Sequence, residues 1–182
     1  DADNNDYENI DEASYNPINI TVNDQRIDGD TGLRVDLDNI SSTNKIKFNS
    51  TGQIISKDSL YIVGDGDINL NVTSTLSSLS SMLVESRYGD INNYEGAEII
   101  TGDGNLSAAK DGHLILSAIN GSINQLSKNS VSVDGNHVIA ANNYTNSGRI
   151  DISGDLTMNI ATDLINADGA LIIAGNDMFL NI

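Results

Sequence analysis

Gly148-Arg-Ile-Asp-Ile-Ser-Gly-Asp-Leu-Thr-Met-Asn-Ile160 and Gly169-Ala-Leu-Ile-Ile-Ala-Gly-Asn-Asp-Met-Phe-Leu-Asn-Ile182 are two copies of one pattern. Each reads Gly-x-apolar, a small loop, then Asp-apolar-x-apolar-Asn-Ile. The opening glycines are 21 residues apart (169 − 148), and Asp155 and Asp177 are 22 apart (177 − 155). The frame recurs in degraded form at Asp67-Ile-Asn-Leu-Asn-Val72 and at Gly112-His-Leu-Ile-Leu-Ser-Ala118. Its Gly-x-Ile/Leu opening recurs at Gly52, Gly89, Gly104 and Gly121. Apolar residues alternate with polar ones inside each unit, as in Leu33-Arg-Val-Asp-Leu37 and Ile150-Asp-Ile152. A period of two predicts short strands with one buried face. Between them lie 25 Asn and 16 Gly residues, both suited to turns because both tolerate φ > 0.

A period of about 20 residues holding two or three strands fits few repeat architectures. Leucine-rich repeats need a Leu-rich pattern that is missing here, and propeller blades need about 40 residues. A parallel β-helix fits: each coil is one solenoid turn, and its strands pair with the same strands above and below. The apolar residues then fill a narrow bore, while Asn, Asp, Ser and Thr face outwards. Asn at matching positions can stack and share side-chain hydrogen bonds from coil to coil. At ~4.8 Å per coil, roughly nine coils make a rod about 40 Å long.

The 182 residues allow one sizeable core. Nine Lys and Arg against 26 Asp and Glu leave a net charge of −17, a surface that repels nucleic acid and anionic lipid. Cysteine is absent, which excludes disulfides, thiolate catalysis and Cys-ligated zinc. No segment approaches the ~20 apolar residues of a membrane-spanning helix. Asp177-Met-Phe-Leu-Asn-Ile182 reads as a strand still in progress, which points to a piece of a longer chain.

Asn146-Ser-Gly-Arg-Ile, Gly154-Asp-Leu-Thr-Met and Leu164-Ile-Asn-Ala-Asp-Gly-Ala-Leu-Ile-Ile-Ala-Gly175 together resemble the repeats of filamentous haemagglutinin-type exoproteins. Those repeats run roughly N-x-G-x-I, G-D-L-x-L, then L-x-N-x-x-G-x-L-x-x-A-G. The resemblance covers about a fifth of the chain well and a further third loosely. It implies a right-handed parallel β-helix in a large bacterial protein exported by two-partner secretion. The group includes adhesins and the CdiA-type effectors of contact-dependent growth inhibition, the members this chain is most similar to. The likeness fades towards the N-terminus. Residues 1–44 carry 11 acidic residues against Arg26 and Arg34 and show no clear coil, and residues 73–100 also depart from the frame. In CdiA-type proteins a variable receptor-binding region interrupts the regular repeats. The resemblance thus implies two parts: residues 1–100 as an irregular, acidic receptor-binding region, and residues 101–182 as regular repeats.

Leu76, Leu79, Met82 and Leu83 fall at helical spacing after Thr73 and Ser74, which suit a helix cap. One reading is a short helical excursion from the rod, with Arg87, Tyr88 and Tyr94 near it to meet a partner; Tyr and Arg are favoured at binding hot spots. The other is a strand-loop-strand coil whose leucines fill the bore. Leu76, Leu79, Met82, Arg87, Tyr88 and Tyr94 are therefore the candidate receptor-binding residues.

Asp1, Asp3, Asn5 and Glu12 match the spacing of an EF-hand loop, but Asp6 stands where that loop needs Gly. Gly64-Asp-Gly-Asp-Ile-Asn-Leu70 resembles a calcium nonapeptide only once, where stacking is required, and reads as a plain turn before a strand. No metal or cofactor is expected. His113 and His137 lack the further ligands of a zinc site, so both are expected at solvated positions. Asn19-Ile-Thr21 and Asn143-Tyr-Thr145 are glycosylation triplets by chance of composition. Asp151, Asp155 and Asp177 can be placed on neighbouring coils as in β-helical polysaccharide lyases and hydrolases, but Trp is absent and the loops from Gly148 onward are minimal. The expectation is a monomeric, non-enzymatic binding and display segment, secreted or on the cell surface. Its partner would be an outer-membrane protein or lipopolysaccharide of a target bacterium. The alternative is a passive stalk.

Overall fold

The structure is a computed structural model that describes residues 19–22, 26–29, 33–37, 47–102, 112–128 and 130–182. Among them are eighteen strands and no helix. The strands stack in three tracks. Track one holds β1 (Asn19–Val22), β4 (Lys47–Ser50), β7 (Ile68–Leu70) and β10 (Ile91–Asn93). It continues with the second halves of β12 (Leu114–Gln125), β14 (His137–Asn146) and β16 (Leu156–Asn166). Track two holds β2 (Arg26–Gly29), β5 (Gln53–Ser56), β8 (Thr75–Ser78), β11 (Glu98–Thr101), β13 (Ser130–Val133), β15 (Arg149–Ile152) and β17 (Leu171–Ala174). Track three runs through β3 (Leu33–Leu37), β6 (Leu60–Gly64), β9 (Met82–Ser86), the first halves of β12, β14 and β16, and β18 (Met178–Asn181).

Pairing along all three tracks is parallel. The architecture is therefore a parallel β-helix. Seven rungs on each track make about six turns, fewer than the roughly nine expected from a 20-residue period. The step varies, from 19 residues between Val131 and Ile150 through 22 between Ile54 and Leu76 to 32 between Ile99 and Val131. Six steps of ~4.8 Å give a rise of about 29 Å. The first rung begins at Asn19, inside the region whose sequence shows no clear coil. The EF-hand-like spacing of Asp1 to Glu12 lies outside the described residues.

Alternation dictates the bore. On track two Ile54, Leu76, Ile99, Val131 and Ile150 stack in register and are all buried. Track one stacks Phe48, Ile68, Ile91, Ile123 and Tyr144. Full burial of such side chains contributes about 1.5–3 kcal/mol each. Burial also pushes the Tyr144 phenol well above its ordinary pKa. Outside, the expected amide stack is present on track one. Asn69 donates to Asn49 at 3.0 Å, Asn92 to Asn69 at 2.9 Å and Asn124 to Asn92 at 2.8 Å.

Corners carry the glycines. A Cβ on Gly121 would sit 2.1 Å from the Gly89 carbonyl oxygen, so this corner closes only without one. The turns 71–74, 94–97 and 167–170 each close with a backbone bond between their ends. Each places a left-handed residue third: Thr73 (φ 72°), Gly96 (φ 92°) and Gly169 (φ 77°). That is the requirement of a type II turn, and Thr73 meets it at the cost of strain.

Candidate functional site

Around Leu76 the chain forms strands, so the helical excursion does not occur: β8 and β9 are regular rungs. The helical spacing is coincidental because the bore residues of two short strands, separated by a corner, also fall a few positions apart. Leu76 and Met82 are buried in the bore and cannot meet a partner. Leu79 is exposed at the corner between tracks two and three, and Leu83 faces outwards on β9, half-buried.

Arg87, Tyr88 and Tyr94 stay at the surface around β10. Arg87 and Tyr88 form the corner that precedes it. The Arg87 guanidinium lies 3.3 Å from Asp65 and 3.5 Å from Glu85, so two carboxylates hold it in place. The Arg87 backbone is fixed from both sides: its N–H donates to the Gly64 carbonyl at 2.9 Å, and its carbonyl accepts from the Asn120 amide at 2.7 Å. Tyr88 is 56% exposed. Tyr94 opens the corner that follows β10 and is 37% exposed, with Val72 and Leu126 exposed at the same corner of adjoining rungs. Between the two tyrosines runs the outward amide row through Asn92. The six candidates thus divide: two in the bore, Leu79 on a second corner, and Arg87, Tyr88 and Tyr94 flanking one strand.

The carboxylates Asp151, Asp155 and Asp177 take separate positions. Asp151 accepts two bonds from Arg149, at 2.6 and 2.7 Å, on the outside of track two. Asp155 and Asp177 stack at the next corner, where the Asp155 carboxylate accepts the Asp177 N–H at 3.2 Å. No group of three His, Asp or Glu side chains able to hold a metal occurs among the described residues. Gly64 to Asp67 forms the corner before β7, where the Asp67 carboxylate accepts the Asp90 N–H at 3.1 Å.

Comparison with protein-family models, curated proteins and solved structures returns no match.

The expectation of solvated histidines fails at His137, which is 1% exposed and points into the bore. It takes the slot filled by Leu60, Met82, Leu114 and Leu156 on the other rungs. Desolvation lowers its pKa from 6.5 to about 4, against a smaller opposing effect of its bond to Leu114. The signal was present: Asn136-His137 aligns with Asp155-Leu156 and Asp177-Met178.

Sequence reasoning also missed an outward row on track three. Tyr61, Leu83, Ile115 and Val138 stack in register, followed by Thr157 and Phe179. A shallow groove beside the row is lined by Tyr61, Leu83, Ile115, Val138 and His113. Its sign is legible in Leu60-Tyr-Ile62, Met82-Leu-Val84 and Leu114-Ile-Leu116, where an apolar residue holds the place that alternation reserves for a polar one.

Proposed function

We propose that this chain is a non-catalytic binding and display segment of a large bacterial exoprotein, at work on the cell surface or after secretion. In this reading it recognises an outer-membrane protein or lipopolysaccharide on a target bacterium during contact-dependent growth inhibition. The setting is drawn from the resemblance of Asn146 to Gly175 to filamentous haemagglutinin-type repeats. The observation that carries the binding role is the placement of Tyr88 and Tyr94 on either side of β10, both exposed, beside backbone hydrogen bonds to the neighbouring rungs at Arg87 and Tyr94. Rigid aromatic side chains lose little entropy on binding, which suits them as anchors.

Tyr88→Ala and Tyr94→Ala are expected to weaken capture of target-cell outer-membrane proteins or lipopolysaccharide by the immobilised chain. The thermal midpoint should stay within a degree or two of the parent, since both side chains lie outside the bore. Unchanged capture by both variants would remove these residues from the binding role. A second reading, the passive stalk, draws support from the regular parallel stacking of the last rungs, where β15 with β17 and β16 with β18 pair without a register shift. A stalk would not compete with the whole exoprotein for target cells, whereas a receptor-binding segment would.

A further inference from the structure

The only two histidines, His113 and His137, meet at one junction between successive rungs. His113 precedes Leu114 at the start of β12, and His137 opens β14, where it pairs in register with Leu114. The Asn136 N–H donates to His113 Nδ1 at 3.0 Å. His137 Nδ1 lies 3.0 Å from the Leu114 carbonyl oxygen. A backbone N–H can only donate, so His113 Nδ1 carries no proton; a carbonyl can only accept, so His137 Nδ1 carries one. The two Nδ1 atoms thus play opposite parts, that of His113 accepting and that of His137 donating. Each reaches across the same step to the backbone of the other's neighbour, alongside the Leu114 N–H bond to the Asn136 carbonyl at 2.9 Å.

A proton on His137 Nε2, which is buried without a partner, would place a cation and an unmet N–H among the aliphatic side chains of the bore. The elements packed against the junction carry several titratable groups. Asp134 is buried in the corner leading to β14, 3.4 Å from the Ser153 hydroxyl. Asp155, before β16, accepts the His137 N–H at its backbone carbonyl and the Asp177 N–H at its carboxylate. Glu85 on β9 faces Arg87, and Asp90 before β10 accepts the Ser122 N–H. Lys57 and Asp58 lie in the corner before β6. Among the described residues neither imidazole has a carboxylate partner.

We propose that His137 makes the step between β12 and β14 an acid-sensitive joint, at which these rungs loosen while those of β5 to β8 keep their pairing. Solenoid stability is a sum of rung and neighbour terms, so one weakened step opens locally. The sign follows from His137. Its proton affinity is lower in the fold than in the opened chain, so the opened chain takes up the proton first. Protection is full above pH 6.5 and falls as the pH drops towards about 4. The opening equilibrium should grow by about tenfold per pH unit in that window.

Hydrogen exchange read by mass spectrometry on the full chain at pH 7.5, 6 and 5 tests this, with rates corrected for intrinsic exchange. Peptides from β12 to β14 are expected to lose protection ahead of those from β5 to β8. His137→Met gives the joint the residue that its column carries at Met82 and Met178. This variant should abolish the pH response. Loss of protection in His137→Met at the same pH as in the parent, or opening of β5 to β8 in step with β12 to β14, would overturn the proposal.

Discussion

Rungs two to four and rungs five to seven solve the same corner in different ways. In the earlier rungs track two ends in a buried hydroxyl: Ser56, Ser78 and Thr101. Each hydroxyl donates to a carbonyl in the corner that follows, Ser56 to Ser59 at 2.9 Å, Ser78 to Ser80 at 3.1 Å, and Thr101 to Gly112. In the later rungs the same column is aliphatic, with Val133, Ile152 and Ala174. There the corner is held from the outside. The Asn136 side chain accepts the Asp155 N–H, and the Asp155 side chain accepts the Asp177 N–H. One half of the rod ties its turns from within by hydroxyls; the other fills that column with aliphatic side chains and ties its turns by stacked Asx residues.

That difference explains what could be read from the sequence. The outer device needs Gly-Asp or Gly-Asn at a fixed place, so Gly154-Asp155 and Gly135-Asn136 leave a visible repeat. The inner device needs only a small hydroxyl in a Ser-rich stretch, so Ser78-Leu-Ser80 leaves no signature and its leucines can be taken for a helix face. The Gly-x-apolar opening also proved ambiguous. Gly52 and Gly148 lead into track two, whereas Gly89 and Gly121 lead into track one. The strands, their parallel stacking and the amide row were legible because alternation and Asn spacing specify them directly. The burial of His137 was not. It depends on where corners fall within a rung, which a 20-residue period leaves open by a few residues.

The largest expected effect tests whether the two halves share one bore. Leu76→Ala and Ile150→Ala occupy the same column in different halves, and each should cost about 2–5 kcal/mol in urea unfolding. A loss below 1 kcal/mol in one half alone would show a core looser there. Ser78→Val puts the later solution into an earlier rung. It removes the donor to the Ser80 carbonyl, and should destabilise by about 1–3 kcal/mol. A neutral result would mean that the hydroxyl is interchangeable with an aliphatic group. Asn92→Ala cuts the amide row between Asn69 and Asn124, with an expected loss of about 1–2 kcal/mol by the same assay. The smallest effect has the opposite sign. Thr73→Gly relieves a β-branched residue held in a left-handed turn, where Gly96 stands one rung later. It forfeits the 2.8 Å hydroxyl bond to the Thr51 carbonyl, so a net gain of about 0.5 kcal/mol is expected in thermal melts.

The 32-residue step between Ile99 and Val131 is the longest within rungs two to seven, yet the ladders on either side run through it undisturbed. Met82 still meets Leu114, and Ile99 still meets Val131. A rod assembled this way counts strands, not residues. The number of residues between Thr101 and Gly112 can therefore change while the layers above keep their register and the scaffold its pitch.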